Sequence, residues 1–152
     1  MDRRPRPARA DDLPAVAALL EQAGLTRAGL SEQFPGGFAV VDGPQGPCGA
    51  AGVELYGPPG AHEGLLRSLV VAPAARGQGL GAALVRDRVA WAGARGVRRL
   101  WLLTLDQGPF FQRLGFQPAQ RAAAPPAVAG SLEFQCVCPA SAACFSLDLP
   151  AR

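Results

Sequence analysis

Residues 69–81 read Leu69-Val70-Val71-Ala72-Pro73-Ala74-Ala75-Arg76-Gly77-Gln78-Gly79-Leu80-Gly81, and they decide the fold. An apolar run ends at Pro73, a glycine-rich turn follows, and the alanine-rich stretch Gly79 to Ala94 continues as a helix stopped by Gly96. Such a turn aims free backbone N–H groups and the positive end of the helix at an anion. Glycines are needed because side chains would hold a phosphate away from the backbone. Arg76 can add a charge-assisted contact. A tight strand-to-helix connection without a ligand is the bland alternative, but three alternating glycines exceed what a plain turn needs.

Downstream, Val97 to Leu105 (VRRLWLLTL) is an apolar strand, and its near-continuous hydrophobicity predicts burial on both faces. Leu65–Ala72, the helix and Val97–Leu105 form a strand–helix–strand crossover, which predicts two parallel neighbours. Upstream, Phe38–Asp42, Gly49–Tyr56 and Leu65–Ala72 are strands joined by turn chemistry at Asp42-Gly43-Pro44 and Gly57-Pro58-Pro59-Gly60, an antiparallel meander. Asp11 or Asp12 can cap a first helix in which Leu13, Val16, Ala17, Leu20 and Ala23 recur at helical spacing before Gly24. A short helical turn is expected around Ala28 to Gln33, ahead of the break at Pro35-Gly36-Gly37. Arg6 to Arg9 can pair only at a sheet edge, because proline interrupts it. After Leu105 come a short helix near Pro109 to Leu114, a strand at Phe116, a helical turn within Ala124 to Phe134, and a final strand from Cys144 to Leu149. The expected class is α/β, a mixed sheet that is antiparallel first and parallel at one central pair.

The 152 residues suit one domain. Glycine (19) and proline (15) total 34 of 152, about 22%, short of the roughly 25–30% of low-complexity chains. With 49% hydrophobic and 18% charged residues, the chain can bury a core. No apolar run approaches the roughly 18 residues of a membrane span, and MDRRPRPARADD lacks the apolar stretch of a signal peptide. A soluble, cytoplasmic protein is expected, with no membrane partner. The net charge of +3 is small, and only Arg3, Arg4, Arg6 and Arg9 cluster tightly, with Arg95, Arg98 and Arg99 looser. Nucleic acid as a partner is therefore not expected.

Two ligand classes compete for the glycine turn. Gly77, Gly79 and Ala82 fit the G-x-G-x-x-A dinucleotide fingerprint, with Asp106 as a ribose-binding acid. That fingerprint opens a doubly wound sheet, whereas here three antiparallel strands precede it. The second class comes with a resemblance. Leu69-x-Val71-x-Pro73-x-x-Arg76-Gly77-x-Gly79-x-Gly81, followed by Phe110-Phe111-Gln112-Arg113-Leu114-Gly115-Phe116, resembles the GNAT superfamily of N-acetyltransferases from about Arg6 to Leu149. Arg76, Gly79 and Gly81 fall on the key positions of its R/Q-x-x-G-x-G/A pattern.

The resemblance implies a single N-acetyltransferase domain over residues 1–152, helices on both faces of the sheet, and a central parallel pair splayed around acetyl-CoA. Pantetheine would bond the backbone of Leu69, Val70 and Val71 like an added strand. The pyrophosphate would sit on the amides of Arg76, Gly77, Gln78, Gly79, Leu80, Gly81 and Ala82, with Phe111 beside the thioester. The N–H near Val70 would stabilise the oxyanion formed when an amine attacks the acetyl carbonyl. Aligning the two reactants would supply much of the rate.

Many family members carry a tyrosine on the late helix to protonate the departing thiolate, and here that position is Phe111. Either water protonates the thiolate, or it leaves unassisted, as its modest pKa permits. The candidate bases are Glu54, His62, Glu63 and Glu133. Glu54 shares a strand face with Tyr56, the only tyrosine. A carboxylate in so apolar a strand needs a partner or a task, so Glu54 either pairs with Arg67 or binds or deprotonates the amine. His62 and Glu63, after the Pro-Pro-Gly turn, are expected in solvent.

Cys136, Cys138 and Cys144 crowd the tail, but their spacing is not that of a zinc knuckle and His62, the only histidine, is remote. No metal site is expected, and in a cytoplasmic protein no disulfide. The bland reading is small buried residues in a final strand; the sharper one is soft thiolate ligation. Leu65-Leu66-Arg67-Ser68-Leu69, Phe110-Phe111, and Glu133-Phe134 followed by Cys138-Pro-Ala-Ser-Ala-x-Cys144 resemble the arsenic-resistance subgroup of these acetyltransferases. That narrower resemblance implies acetylation of an amino-bearing arsenical, with Glu54, Arg67, Ser68, Cys138 and Cys144 around the acceptor. Other small amines, a protein N-terminus, or a non-catalytic acetyl-CoA or arsenic sensor remain alternatives, and a homodimer is left open.

Overall fold

The computed structural model describes residues 4–58, 62–137 and 142–150. Its strands are β1 (Arg6–Pro7), β2 (Phe38–Gly43), β3 (Gly46–Tyr56), β4 (His62–Val71), β5 (Val97–Thr104), β6 (Gln117–Ala119) and β7 (Ala143–Asp148). Its helices are α1 (Leu13–Gln22), α2 (Leu30–Gln33), α3 (Leu80–Ala94), α4 (Gly108–Arg113) and α5 (Pro126–Ala129). The seven strands stand in the order β1-β2-β3-β4-β5-β7-β6, a mixed sheet. As the crossover requires, β4 and β5 run parallel, from His62↔Val97 to Leu65↔Trp101. That pairing makes β4 start at His62, three residues before the apolar pattern does. Pro7 takes its place in an edge strand, opposite Ala39.

The chain divides into two compact units, residues 1–53 with 67–89 and residues 54–66 with 90–152. In the first, β2 is apolar on successive residues because both of its faces are covered. Phe38 and Val40 pack with Val16 and Leu20 of α1, while Ala39 and Val41 pack with Leu80 and Leu84 of α3. Burying each such leucine or valine stabilises the fold by roughly 1.5–3 kcal/mol. Asp12 precedes α1, yet its side chain makes no cap bond there. Instead its carboxylate accepts Arg6 Nη1 at 2.9 Å and the Arg9 N–H at 2.8 Å, while Arg6 Nε reaches Asp42 at 2.7 Å. The expected cap is thus replaced by a tie between β1, α1 and the end of β2. The hydrogen bonds from Arg6 hold both carboxyls below their ordinary range, against the opposing effect of burial.

In the second unit, Leu65 and Trp101 pack with Val128, Phe134 and Cys144, and Tyr56 lies against that cluster. Phe111 stacks edge-on with Phe110 and Phe116 at 5.1 and 5.7 Å. The segment expected to hold one helical turn holds two: α5, and a wider turn over Glu133–Val137. The final strand β7 enters between β5 and β6, antiparallel to both.

Candidate active site

Within the first unit, β4 and α3 are joined by a 3₁₀ turn at Pro73–Ala75 and by exposed residues 76–79. Gly77 and Gly79 both sit at φ +78, while a Cβ on either would meet nothing within 4 Å. Conformation rather than space therefore demands glycine here, since the left-handed region is costly for residues with a Cβ. Ala83 donates to the Gly79 carbonyl at 3.1 Å, which makes Gly79 the last residue before the helical ladder. The amides of Leu80, Gly81 and Ala82 then belong to the first turn, which has no intrahelical acceptors. Arg76 is exposed, and its Nε donates to the Val71 carbonyl at 3.0 Å. The guanidinium thereby braces the end of β4 beside the turn.

The approach along β4 is irregular. Ser68 has φ 59, the one non-glycine residue with positive φ among those described. Arg67 is 3% exposed, and its Nε donates to Ser68 Oγ at 2.9 Å. Val70 faces the α1 side of the sheet, and Leu69 and Val71 pack on the α3 side. The backbone from Leu69 to Ala82 thus forms one continuous strand–turn–helix segment whose last amides have no intrahelical acceptor.

In the second unit, Glu54 is buried and accepts a hydrogen bond from the Tyr56 hydroxyl, which shares its strand face. Tyr56 also packs on the cluster containing Cys144. Burial pushes the Cys144 thiol up from its ordinary range, with the Arg121 charge acting weakly the other way. Cys138 lies outside the described residues, and Phe111 is 6% exposed within its aromatic stack.

Two residues expected in solvent are half-buried. Glu63 Oε1 accepts the indole N–H of Trp101 at 3.0 Å, and His62 Nδ1 lies 3.3 Å from the Tyr56 carbonyl. The reason is Trp101, whose buried N–H needs an acceptor. The parallel register brings Glu63 opposite Arg99, next to that ring. Glu133, the fourth candidate base, is buried at 9% exposure. Sequence reading missed Arg121, which donates to the Phe134 carbonyl at 2.9 Å and lies 5.6 Å from that ring. No motif surrounds it, so no signal announced it.

Residues 5–116 match the acetyltransferase (GNAT) family. The chain belongs to that family. Among curated proteins it is similar to N-alpha-acetyltransferase 80 of Mus musculus, 46% identical over 56 residues, or 37% of this chain and 18% of that one. Among solved structures it is similar to N-acetylglutamate synthase from Neisseria gonorrhoeae complexed with coenzyme A and N-acetylglutamate. There the TM-score is 0.79 at 24% identity, over 96% of this chain and 35% of the other. It is also similar to Rv2747 from Mycobacterium tuberculosis in complex with CoA, with TM-score 0.79, 22% identity, and 96% and 99% of the two chains covered. At these identities the structural likenesses establish the fold. This GNAT chain spans 18% of the mouse protein and 35% of the synthase. Among the described residues, no helix is long and apolar enough to cross a membrane.

Proposed function

We propose that this GNAT chain is a single N-acetyltransferase domain that moves an acetyl group from acetyl-CoA to the amine of a small molecule, an amino-bearing arsenical. One observation carries the transferase reading: two glycines held at φ +78 open a 15-residue helix directly after β4. The amides of residues 77–82 bind the pyrophosphate, the Arg76 N–H expected among them being donated to the Pro73 carbonyl at 3.3 Å, and the backbone of Leu69 to Val71 bonds the pantetheine as an added strand. The amine nitrogen attacks the thioester carbonyl and forms the new C–N bond, and the N–H near Val70 holds the developing oxyanion. Collapse breaks the C–S bond, and Glu54 takes the ammonium proton before or during attack. Phe111 has no proton to give, so the thiolate departs unassisted or is protonated by water. A free thiol pKa of about 8.5 makes it a tolerable leaving group.

The arsenical is supported by the tail motif and by the preference of trivalent arsenic for sulfur. Each As–S bond made by Cys138 or Cys144 replaces an As–OH and an S–H and releases one water. Arg67 and Ser68 complete the acceptor side. A second reading has its own support, since the locally 46%-identical relative is an N-alpha-acetyltransferase, which favours a peptide amine.

The test is mass spectrometry of products from pure protein, acetyl-CoA and a mixed panel. The panel holds aminoaryl and amino-acid arsenicals in both oxidation states, their arsenic-free analogues, and short peptides. The expected product gains one acetyl group and forms fastest with trivalent arsenic. Equal rates on arsenic-free amines would keep the transferase and remove arsenic. A product confined to peptides would install the second reading, and acetyl-CoA binding without product would leave a sensor.

A further inference from the structure

Within the first unit, the backbone of β4 has a definite phase beyond Ser68. At the end of the strand the Ala72 N–H donates to the Cys48 carbonyl at 2.7 Å, so Ala72 faces β3. Backbone groups alternate sides along a strand, which turns Val70 toward β3 as well, and Leu69 and Val71 away from it. The contacts agree. The Val70 carbonyl packs on Gly49 of β3, where a Cβ would meet it at 3.3 Å, while the Val71 carbonyl accepts Arg76 Nε at 3.0 Å.

Ser68 interrupts that alternation. Its φ of 59 lies in the left-handed region, and inside a strand such a residue acts as a bulge does, shifting which groups face which side. Glycine takes this conformation without strain, yet here a serine holds it. Its hydroxyl shows why. Arg67 Nε donates to Ser68 Oγ at 2.9 Å, and the two residues are 3% and 9% exposed. In an extended strand their side chains would point to opposite faces. They meet because Ser68 is kinked, and the bond in turn opposes a return to the extended form. Its donor is a guanidinium, charged at every working pH, in a place that water hardly reaches.

We propose that Arg67 is a positioning residue that clamps the kink at Ser68, and so keeps the backbone groups of Leu69 and Val71 turned to the pantetheine of acetyl-CoA. This rests on the reading of Leu69 to Val71 as the strand that bonds pantetheine. It is a task separate from any contact the pair makes with the acceptor.

The experiment is calorimetry on the full chain with two probes: acetyl-CoA, and 3′-phospho-ADP, which carries the pyrophosphate without pantetheine. The variants are Ser68→Ala, Ser68→Gly, Arg67→Met, and Arg67→Met combined with Ser68→Gly. Alanine at this φ keeps the strain and loses the hydroxyl, so Ser68→Ala should weaken acetyl-CoA binding about tenfold. Glycine needs no clamp, so Ser68→Gly should stay within about threefold of wild type. Arg67→Met should match Ser68→Ala, and adding Ser68→Gly to it should bring affinity back to within about threefold. Affinity for 3′-phospho-ADP should move by less than about twofold throughout, because the turn at residues 77–82 is untouched. Equal affinities of Ser68→Ala and Ser68→Gly for acetyl-CoA would overturn the proposal, and so would an Arg67→Met loss that glycine does not relieve. Parallel losses for the two probes would also overturn it, since the substitutions would then act on the fold at large. The two serine variants leave Arg67 in place, so they decide the matter even where Arg67→Met does not fold. Wild-type protein that binds 3′-phospho-ADP as tightly as acetyl-CoA would overturn the pantetheine reading itself, a separate and recognisable result.

Discussion

The two compact units handle polar chemistry in opposite ways. In the first, the turn's donors are backbone, with glycines at φ +78 opening a helix, while the charged side chains Arg6, Asp12 and Asp42 close on one another. In the second, side chains carry it into the apolar cluster. Tyr56 meets Glu54, the Trp101 indole meets Glu63, Arg121 meets the Phe134 carbonyl, and Cys144 is buried. A backbone site tolerates most substitutions except where a dihedral angle excludes them. A side-chain site tolerates few, because each partner was desolvated to meet a particular atom.

The largest effects should separate these two kinds of site. Gly79→Val forces a β-branched residue to φ +78 and disturbs several charge-assisted hydrogen bonds at once. Acetyl-CoA affinity should fall about a thousandfold, from losses of ~1.5–3 kcal/mol per bond to a charged group. Calorimetry checks it, and binding within tenfold of wild type would mean the turn does not hold the pyrophosphate. Glu54→Gln, on the other side of the comparison, should leave that affinity unchanged. It should lower kcat for an alkyl amine by about a hundredfold, the scale of general-base catalysis. An aryl amine, neutral at pH 7, should lose far less. Steady-state rates on the two amines would show whether Glu54 takes a proton or merely fills space.

The same contrast explains what could be read in advance. The segment from Leu69 to Ala94 was legible because its chemistry is dihedral and periodic, and both are written in consecutive residues. The parallel pair followed from the strand–helix–strand order, since a helix-long crossover returns the chain to run parallel. The insertion of β7 between β5 and β6 was not legible, since no local pattern says which edge a last strand will join. Nor was the bond between Glu63 and Trp101, which exists only in the observed register. Asp12 misled for a related reason: a helix-capping pattern looks the same whether or not an arginine six residues earlier claims the carboxylate. The hydrogen bond from Arg88 to the Gly37 carbonyl, 51 positions away, carried no signal at all.

Smaller effects should appear in stability, on opposite sides of neutrality. In the first unit, hydrogen bonds from Arg6 lower the pKa of Asp12 and Asp42, so their contribution is complete above the unfolded value near pH 4. It is lost as pH falls through the depressed folded values. Arg6→Ala leaves the largely buried Asp12 without that partner and should cost about 2 kcal/mol at pH 7. The cost should shrink below pH 4, where protonation removes the same interaction from the wild type. Urea midpoints for the two proteins between pH 3 and 7 would test it, and parallel curves would deny the tie its electrostatic role.

Cys144 gives the mirror image in the second unit. Burial raises its thiol pKa, so the folded state favours the neutral form. That preference is fully present below the unfolded thiol value near pH 8.5 and is lost as pH rises through the higher folded value. Cys144→Ala should cost about 1 kcal/mol at pH 7, from lost packing. Its gap from wild type should then narrow above pH 9, because alanine has no charge to bury. The same raised pKa bears on arsenic. Capture at Cys144 goes through the thiolate, although overall the S–H proton leaves with an arsenical hydroxyl as water, so kcat/KM for a trivalent arsenical should rise as pH rises from 7 to 9, while that for its arsenic-free analogue follows the amine alone. Matching slopes for the two acceptors would mean that the buried thiol only packs.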